Sequence, residues 1–192
     1  MPRLIHTGAT EAIITTDEAK AYARVDYADE DALFDSLIVA ATERAELFLG
    51  RSLINSVWKF YIAEFLDEIV IPMPWSSVDQ IEYLDTDGAS QTLSTSIYQV
   101  NLLGLDCRIT TKPNQSWPSI QEGVYNPITI TGKSGYGADS DSVPDSIKTA
   151  VKIMVNTAFN QRESFSIGVN ANSLPITATV EAMLNPFKVV KP

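Results

Sequence analysis

The residues best placed to do chemistry are Gly132-Lys133-Ser134, which follow a β-branched run as the phosphate-binding loop of a nucleotide site would. Such a loop curls successive backbone N–H groups around a phosphate and needs a glycine five residues before its last one. Pro127 stands there and has no N–H to offer. Gly135-Tyr136-Gly137 and the acids Asp139 and Asp141 follow, so the stretch reads as a loop leading to the next helix. Asp26, Asp29, Glu30 and Asp31 suggest calcium by their crowding. Counted from Asp26, however, the glycine and the closing glutamate of the usual calcium loop are missing, and these acids read as charges at a helix start. His6 is the only histidine, so no histidine triad or multi-histidine metal site can be built. Cys107 has no second cysteine and reads as a small buried residue. Asp67/Glu68 is the kind of carboxylate pair that any acidic surface carries. Trp58, Trp75 and Trp117 offer flat rings for stacking, though packing is the ordinary use of such residues. No catalytic, metal or cofactor residue is expected from these patterns, and no enzyme.

Composition narrows the classes further. The chain has 192 residues, 45% hydrophobic and 20% charged, with a net charge of −10 and a pI near 4.5. That length allows one domain with a real core, or one domain carrying a smaller insertion. No apolar run is long enough to span a membrane, and the N-terminus lacks the apolar block of a secretory signal. A single cysteine fits a reducing compartment. The acids are concentrated early: residues 1–50 hold ten, against Arg3, Lys20, Arg24 and Arg44. A chain so acidic should not grip the DNA backbone, because that affinity comes from Lys and Arg displacing counterions.

The pattern of elements predicts an α+β protein. Residues 1–14 have no helical period and read as an arm that orders against a partner. Thr15 and Glu18 have capping-box spacing, predicting a short helix over 15–24. A long helix is predicted over 29–49, with Leu33, Leu37, Ile38, Ala41, Ala45 and Phe48 as its apolar stripe and Gly50 as its stop. Short β-branched and aromatic runs from Val57 to Thr131, broken by turn signals such as Asp85-Thr86-Asp87-Gly88, predict an antiparallel β module over 55–132. Helical spacing returns over 143–162, where Ile147, Val151, Met154, Val155 and Ala158 should cover the first long helix. The reading is two long packed helices and a short N-terminal helix, an inserted β module, and an extended tail over 164–192 with barely two helical turns at Thr179–Leu184.

Taken in order, these pieces resemble a family. Asp17-Glu18-Ala19-Lys20, Arg24-Val25-Asp26, Asp29-Glu30-Asp31-Ala32-Leu33 and Gly50-Arg51-Ser52-Leu53-Ile54 are similar to the head–tail connector (adaptor) proteins of tailed bacteriophages and gene transfer agents. The likeness continues at Tyr83-Leu84-Asp85-Thr86-Asp87-Gly88, Tyr98-Gln99-Val100, Trp117-Pro118, Gly135-Tyr136-Gly137 and Val143-Pro144-Asp145, and covers roughly residues 15–163. The resemblance implies a structural protein of the virion, made in the bacterial host cytoplasm. It would form a ring of twelve copies under the portal protein and dock a stopper or tail-completion protein. Packaged double-stranded DNA would pass through without specific binding. On this reading Asp29, Glu30, Asp31 and Asp35 are candidates to face the channel, and Ile176, Met183, Leu184, Phe187 and Lys188 to contact the portal. The reading of another class is a carbohydrate- or peptide-binding β module that uses Trp58, Trp75 or Trp117 as platforms.

Overall fold

The computed structural model describes residues 3–7, 11–161 and 177–189. The chain divides into two compact units. One comprises Met1–Thr10, Asn55–Tyr136 and Val190–Pro192; the other comprises Glu11–Ile54 and Gly137–Val189.

The second unit is helical. Helix α1, Thr16–Ala23, opens on the capping box expected of Thr15: its hydroxyl accepts from the Glu18 N–H at 3.1 Å, and its own N–H donates to Glu18 Oε2 at 2.9 Å. Arg24, at φ 58°, ends the helix. One 3-10 turn, Ala28–Glu30, leads into helix α2, Asp31–Leu49, and Gly50 closes it at φ 71° with its N–H on Glu46 O. The buried stripe of α2 is Phe34, Ile38, Ala41, Ala45 and Leu49: Ile38, Ala41 and Ala45 are buried as predicted, and Phe34 and Leu49 take the places expected of Leu33 and Phe48. Leu33, Leu37 and Phe48 flank it, half-buried. At the first position the larger Phe34 ring, rather than Leu33, lies 4.6 Å from the ring of Phe159.

Phe159 lies on helix α3, Asp145–Asn160, which packs on α2 as predicted through Ile147, Ala150, Val151, Met154 and Val155. Ala150 takes the place expected of Ala158, which is only half-buried. Helix α4, Ala178–Leu184, is capped by Thr177 and followed by a 3-10 turn, Asn185–Phe187.

Among the described residues the other unit has eight strands in two sheets. Arg3–Thr7 (β1), Ser56–Ile62 (β2), Ile128–Ser134 (β8), Ser77–Leu84 (β4) and Ser90–Thr92 (β5) lie side by side in that order. Glu68–Ile71 (β3), Cys107–Thr111 (β7) and Tyr98–Asn101 (β6) make the second sheet. Every pairing is antiparallel, as the short runs and turn signals predict. Alternate residues such as Phe60, Ile69, Ile71, Ile81, Ile109 and Ile130 form one core.

Strand β1 corrects the expectation of an arm that orders only against a partner. Arg3–Thr7 pairs with Tyr61–Val57 in register, and Ile13 and Ile14 are buried in the helical unit. A five-residue strand that borrows its order from a sheet edge need not show a helical period of its own.

Candidate functional site

The phosphate-loop look-alike is part of a strand rather than the loop predicted for it. Gly132, Lys133 and Ser134 complete β8, paired with β2 and β4. A Cβ on Gly132 would lie 2.3 Å from both Ser77 O and the Trp75 ring, so the glycine is there to let Trp75 cross the strand. Ser134 Oγ donates to Pro74 O at 2.7 Å. Cys107 is fully buried, and burial beside Asp106 pushes its thiol up to about 12, which keeps it protonated and unreactive. Glu68 is paired with Arg108 at 3.2 Å.

The tryptophan platforms are largely committed. Trp75 is 3% exposed, in the β core. Trp117 stacks on Phe65 at 4.7 Å and donates its indole N–H to Leu66 O at 2.9 Å. Trp58 packs half-buried against the core. A buried Trp75 cannot serve as a stacking platform, which corrects that part of the alternative reading.

The acidic start of α2 is a fastening as well as a charged surface. Lys20, only 8% exposed, holds Asp31 at 2.5 Å, and the Thr16 hydroxyl donates to Asp35. Lys152 reaches Glu18 at 3.0 Å from α3. The Thr15 N–H, and then Lys152, hold the Glu18 carboxyl below its usual range. Of the four candidate channel residues, Asp31 and Asp35 therefore tie α1 to α2, while Asp29 stands exposed and Glu30 is half-buried.

The C-terminal candidates divide in the same way. Leu184 is fully buried with Val180 against the other helices of its own unit. This corrects its assignment as a residue free to meet a portal. The Val189 N–H donates to Leu49 O at 2.8 Å, and the Lys188 ammonium lies 4.4 Å from the centre of the Phe48 ring. Met183 and Phe187 are half-buried and Lys188 is exposed; Ile176 lies outside the described residues. The far end of the presumed tail is thus built onto the helical unit, because Val180, Leu184 and Val189 find apolar cover there.

Other residues of note were not singled out from the sequence. Glu46 caps the turn after α2, accepting from the Leu53 N–H at 2.7 Å, and burial raises its pKa. Leu103 and Tyr125 are almost wholly exposed, at 98% and 96%. A hydrophobic residue in a turn was the only signal in the sequence for either.

Across the described residues the arrangement is one of fastened helices, sheets and exposed apolar points, with no group of acids, histidines or cysteines able to hold a metal. Residues 13–96 match the family model described as phage gp6-like head-tail connector protein. The resemblance to head–tail connectors holds. The matched stretch takes in α1, α2 and β2 to β5. Three solved structures share the fold. A chain from "Neck of empty GTA particle computed with C6 symmetry" aligns at TM-score 0.78 and 18% identity, covering 99% of this chain and 97% of that one. One from "Virion of native gene transfer agent (GTA) particle" aligns at 0.76 and 19%, covering 98% and 96%. One from "Neck of native GTA particle computed with C12 symmetry" aligns at 0.71 and 20%, covering 99% and 97%. At such identities the likeness is one of fold. No curated protein matches.

Proposed function

We propose that this chain is a structural subunit of a head–tail connector, acting without catalysis. The reading is carried by the connector-family match over α1 to β5, and the fold likeness to neck chains of gene transfer agents supports it along the rest of the chain. Copies pack head-to-tail into a closed ring of twelve in the virion, beneath the portal protein. The ring extends the channel for packaged double-stranded DNA and offers its other end to a stopper or tail-completion protein.

The charge suits such a wall. Each subunit brings −10, so a ring of them repels phosphate and lets DNA slide without sticking. Asp29 and Asp35 are the channel-facing candidates best supported by exposure, Asp35 while it also accepts from Thr16; Glu30 and Asp31 are half-buried, and Asp31 contributes charge while it braces α1 through Lys20. At the other end of the chain, Met183, Phe187 and Lys188 keep exposed surface for the portal, and Leu184 anchors the segment from within; Ile176, outside the described residues, stays a candidate on the resemblance alone.

The test is to mix the purified chain with its portal protein and image the product. A ring seated on the portal supports the reading, and a chain that never joins the portal refutes it. Because a connector subunit can stay monomeric until the portal is present, the portal belongs in the experiment.

A further inference from the structure

The hairpin between β4 and β5 holds the one Asp-Gly pair of the chain, Asp87-Gly88, and the chain has no Asn-Gly. An aspartate before a glycine can isomerise without any enzyme. The glycine nitrogen attacks the aspartate Cγ, water leaves, and a five-membered succinimide closes. Water then opens the ring at either carbonyl, giving back aspartate or giving isoaspartate. One water goes out and one comes in, so no other reactant is needed. Glycine favours the attack because no Cβ shields its nitrogen.

The turn cannot do without this glycine. Gly88 sits at φ 82°, in the left-handed region, and a Cβ there would crowd the Gln121 amide at 3.2 Å. A set of bonds centred on Asp85 holds the turn shut. The Gly88 N–H donates to Asp85 O at 2.9 Å, and the Asp85 N–H to Ala89 O at 2.9 Å. The Asp85 carboxylate accepts from the Asp87 N–H at 3.1 Å, the Ala89 N–H at 2.9 Å and Gln91 Nε2 at 2.8 Å. Gln91, and then Ala89, hold this carboxyl below its usual range, which keeps it ionised as an acceptor. Asp87 is exposed, and its own carboxyl takes no part in these bonds. The attacking nitrogen is occupied, so the turn must open before it can meet Cγ.

We propose that Asp87-Gly88 is a site of spontaneous covalent modification, the conversion of Asp87 to isoaspartate, and that the Asp85 carboxylate is the group that restrains it. The inference is independent of the ring reading above. Isoaspartate adds a carbon to the backbone path, so the bonds from Gly88 and Ala89 to Asp85 fall out of step. Strand β5, three exposed residues at the edge of its sheet, then loses the turn that ties it to β4.

The test incubates the folded full chain in warm neutral buffer and follows isoaspartate with protein isoaspartyl methyltransferase, placing it by fragmentation mass spectrometry. Isoaspartate should appear at position 87 before any other, and at least tenfold faster in concentrated urea than in the folded chain. Asp85→Ala should raise the folded rate at least fivefold while the far-UV ellipticity stays that of the wild type. Gln91→Ala, which removes one of the three bonds to that carboxylate, should raise it by a smaller factor. Should Asp85→Ala fail to fold, Gln91→Ala decides by the same comparison. Isoaspartate that is absent from position 87 even in urea, or that appears first at another residue, overturns the site. A folded rate equal to that in urea, or one that neither substitution moves, overturns the restraint by Asp85.

Discussion

Leu184→Ala asks whether the C-terminal segment is part of the free subunit or waits for a partner. Leu184 is fully buried, and α4 packs on α3 and α2. Truncating a buried leucine costs about 2–5 kcal/mol through lost transfer energy and the cavity left behind. The cost has a ceiling. Once it exceeds the free energy that holds residues 177–189 in place, the segment lets go instead, and further loss is not felt. A chain ending after Ser164 reads that ceiling directly, so it should fold but be at least as destabilised as Leu184→Ala. Urea unfolding followed by far-UV ellipticity reports the helical unit, since all three tryptophans lie in the β unit. With a urea slope of about 1–3 kcal/mol per molar, the midpoint should fall by on the order of 1 M. A midpoint unchanged in both variants would refute the seating of α4. A Leu184→Ala loss exceeding that of the truncated chain would refute the reasoning about the ceiling.

Three further outcomes are expected. Gly132→Ala should destabilise the β unit by about 1–3 kcal/mol or more, because its methyl group has no room between Ser77 O and the Trp75 ring; tryptophan emission during urea unfolding measures it. Glu18→Gln should flatten the acid limb of stability. The folded carboxyl titrates below its usual 4.5, so its stabilisation is complete above that pH and is lost as the pH falls through the folded value; melting temperatures of both proteins across that range check the sign. Particles built with Asp29→Lys/Glu30→Lys should eject DNA more slowly, most clearly at low salt, and ejection at the wild-type rate would remove these two acids from the channel wall.

What the sequence disclosed depended on whether the signal was local. Thr15 with Glu18, Gly50 after a helical stripe, and Asp85-Thr86-Asp87-Gly88 between strands act within a few residues, and the structure has the capping box, the left-handed stop and the hairpin they imply. The α2 stripe was legible as a stripe but not to the residue. Which of Leu33 and Phe34 turns inward is decided by Phe159, more than a hundred residues away. Strand β1 escaped for the same reason, since its partner β2 lies some fifty residues on. Lys133 and Ser134 resemble a nucleotide loop only until Trp75 is seen pressed on Gly132, another distant contact. The acids at the start of α2 could be listed from the sequence, but their division into exposed Asp29 and fastened Asp31 needed Lys20 and its burial. The family likeness survives all of this because it rests on the order of local signals.

The most direct measurement is electron microscopy of the chain mixed with its portal protein. The expected result is a closed ring of copies coaxial with the portal, open at its centre to the width of a DNA duplex. The contrary result is a portal left bare beside single chains, whatever the mixing ratio, which would take away the symmetric assembly on which the function depends.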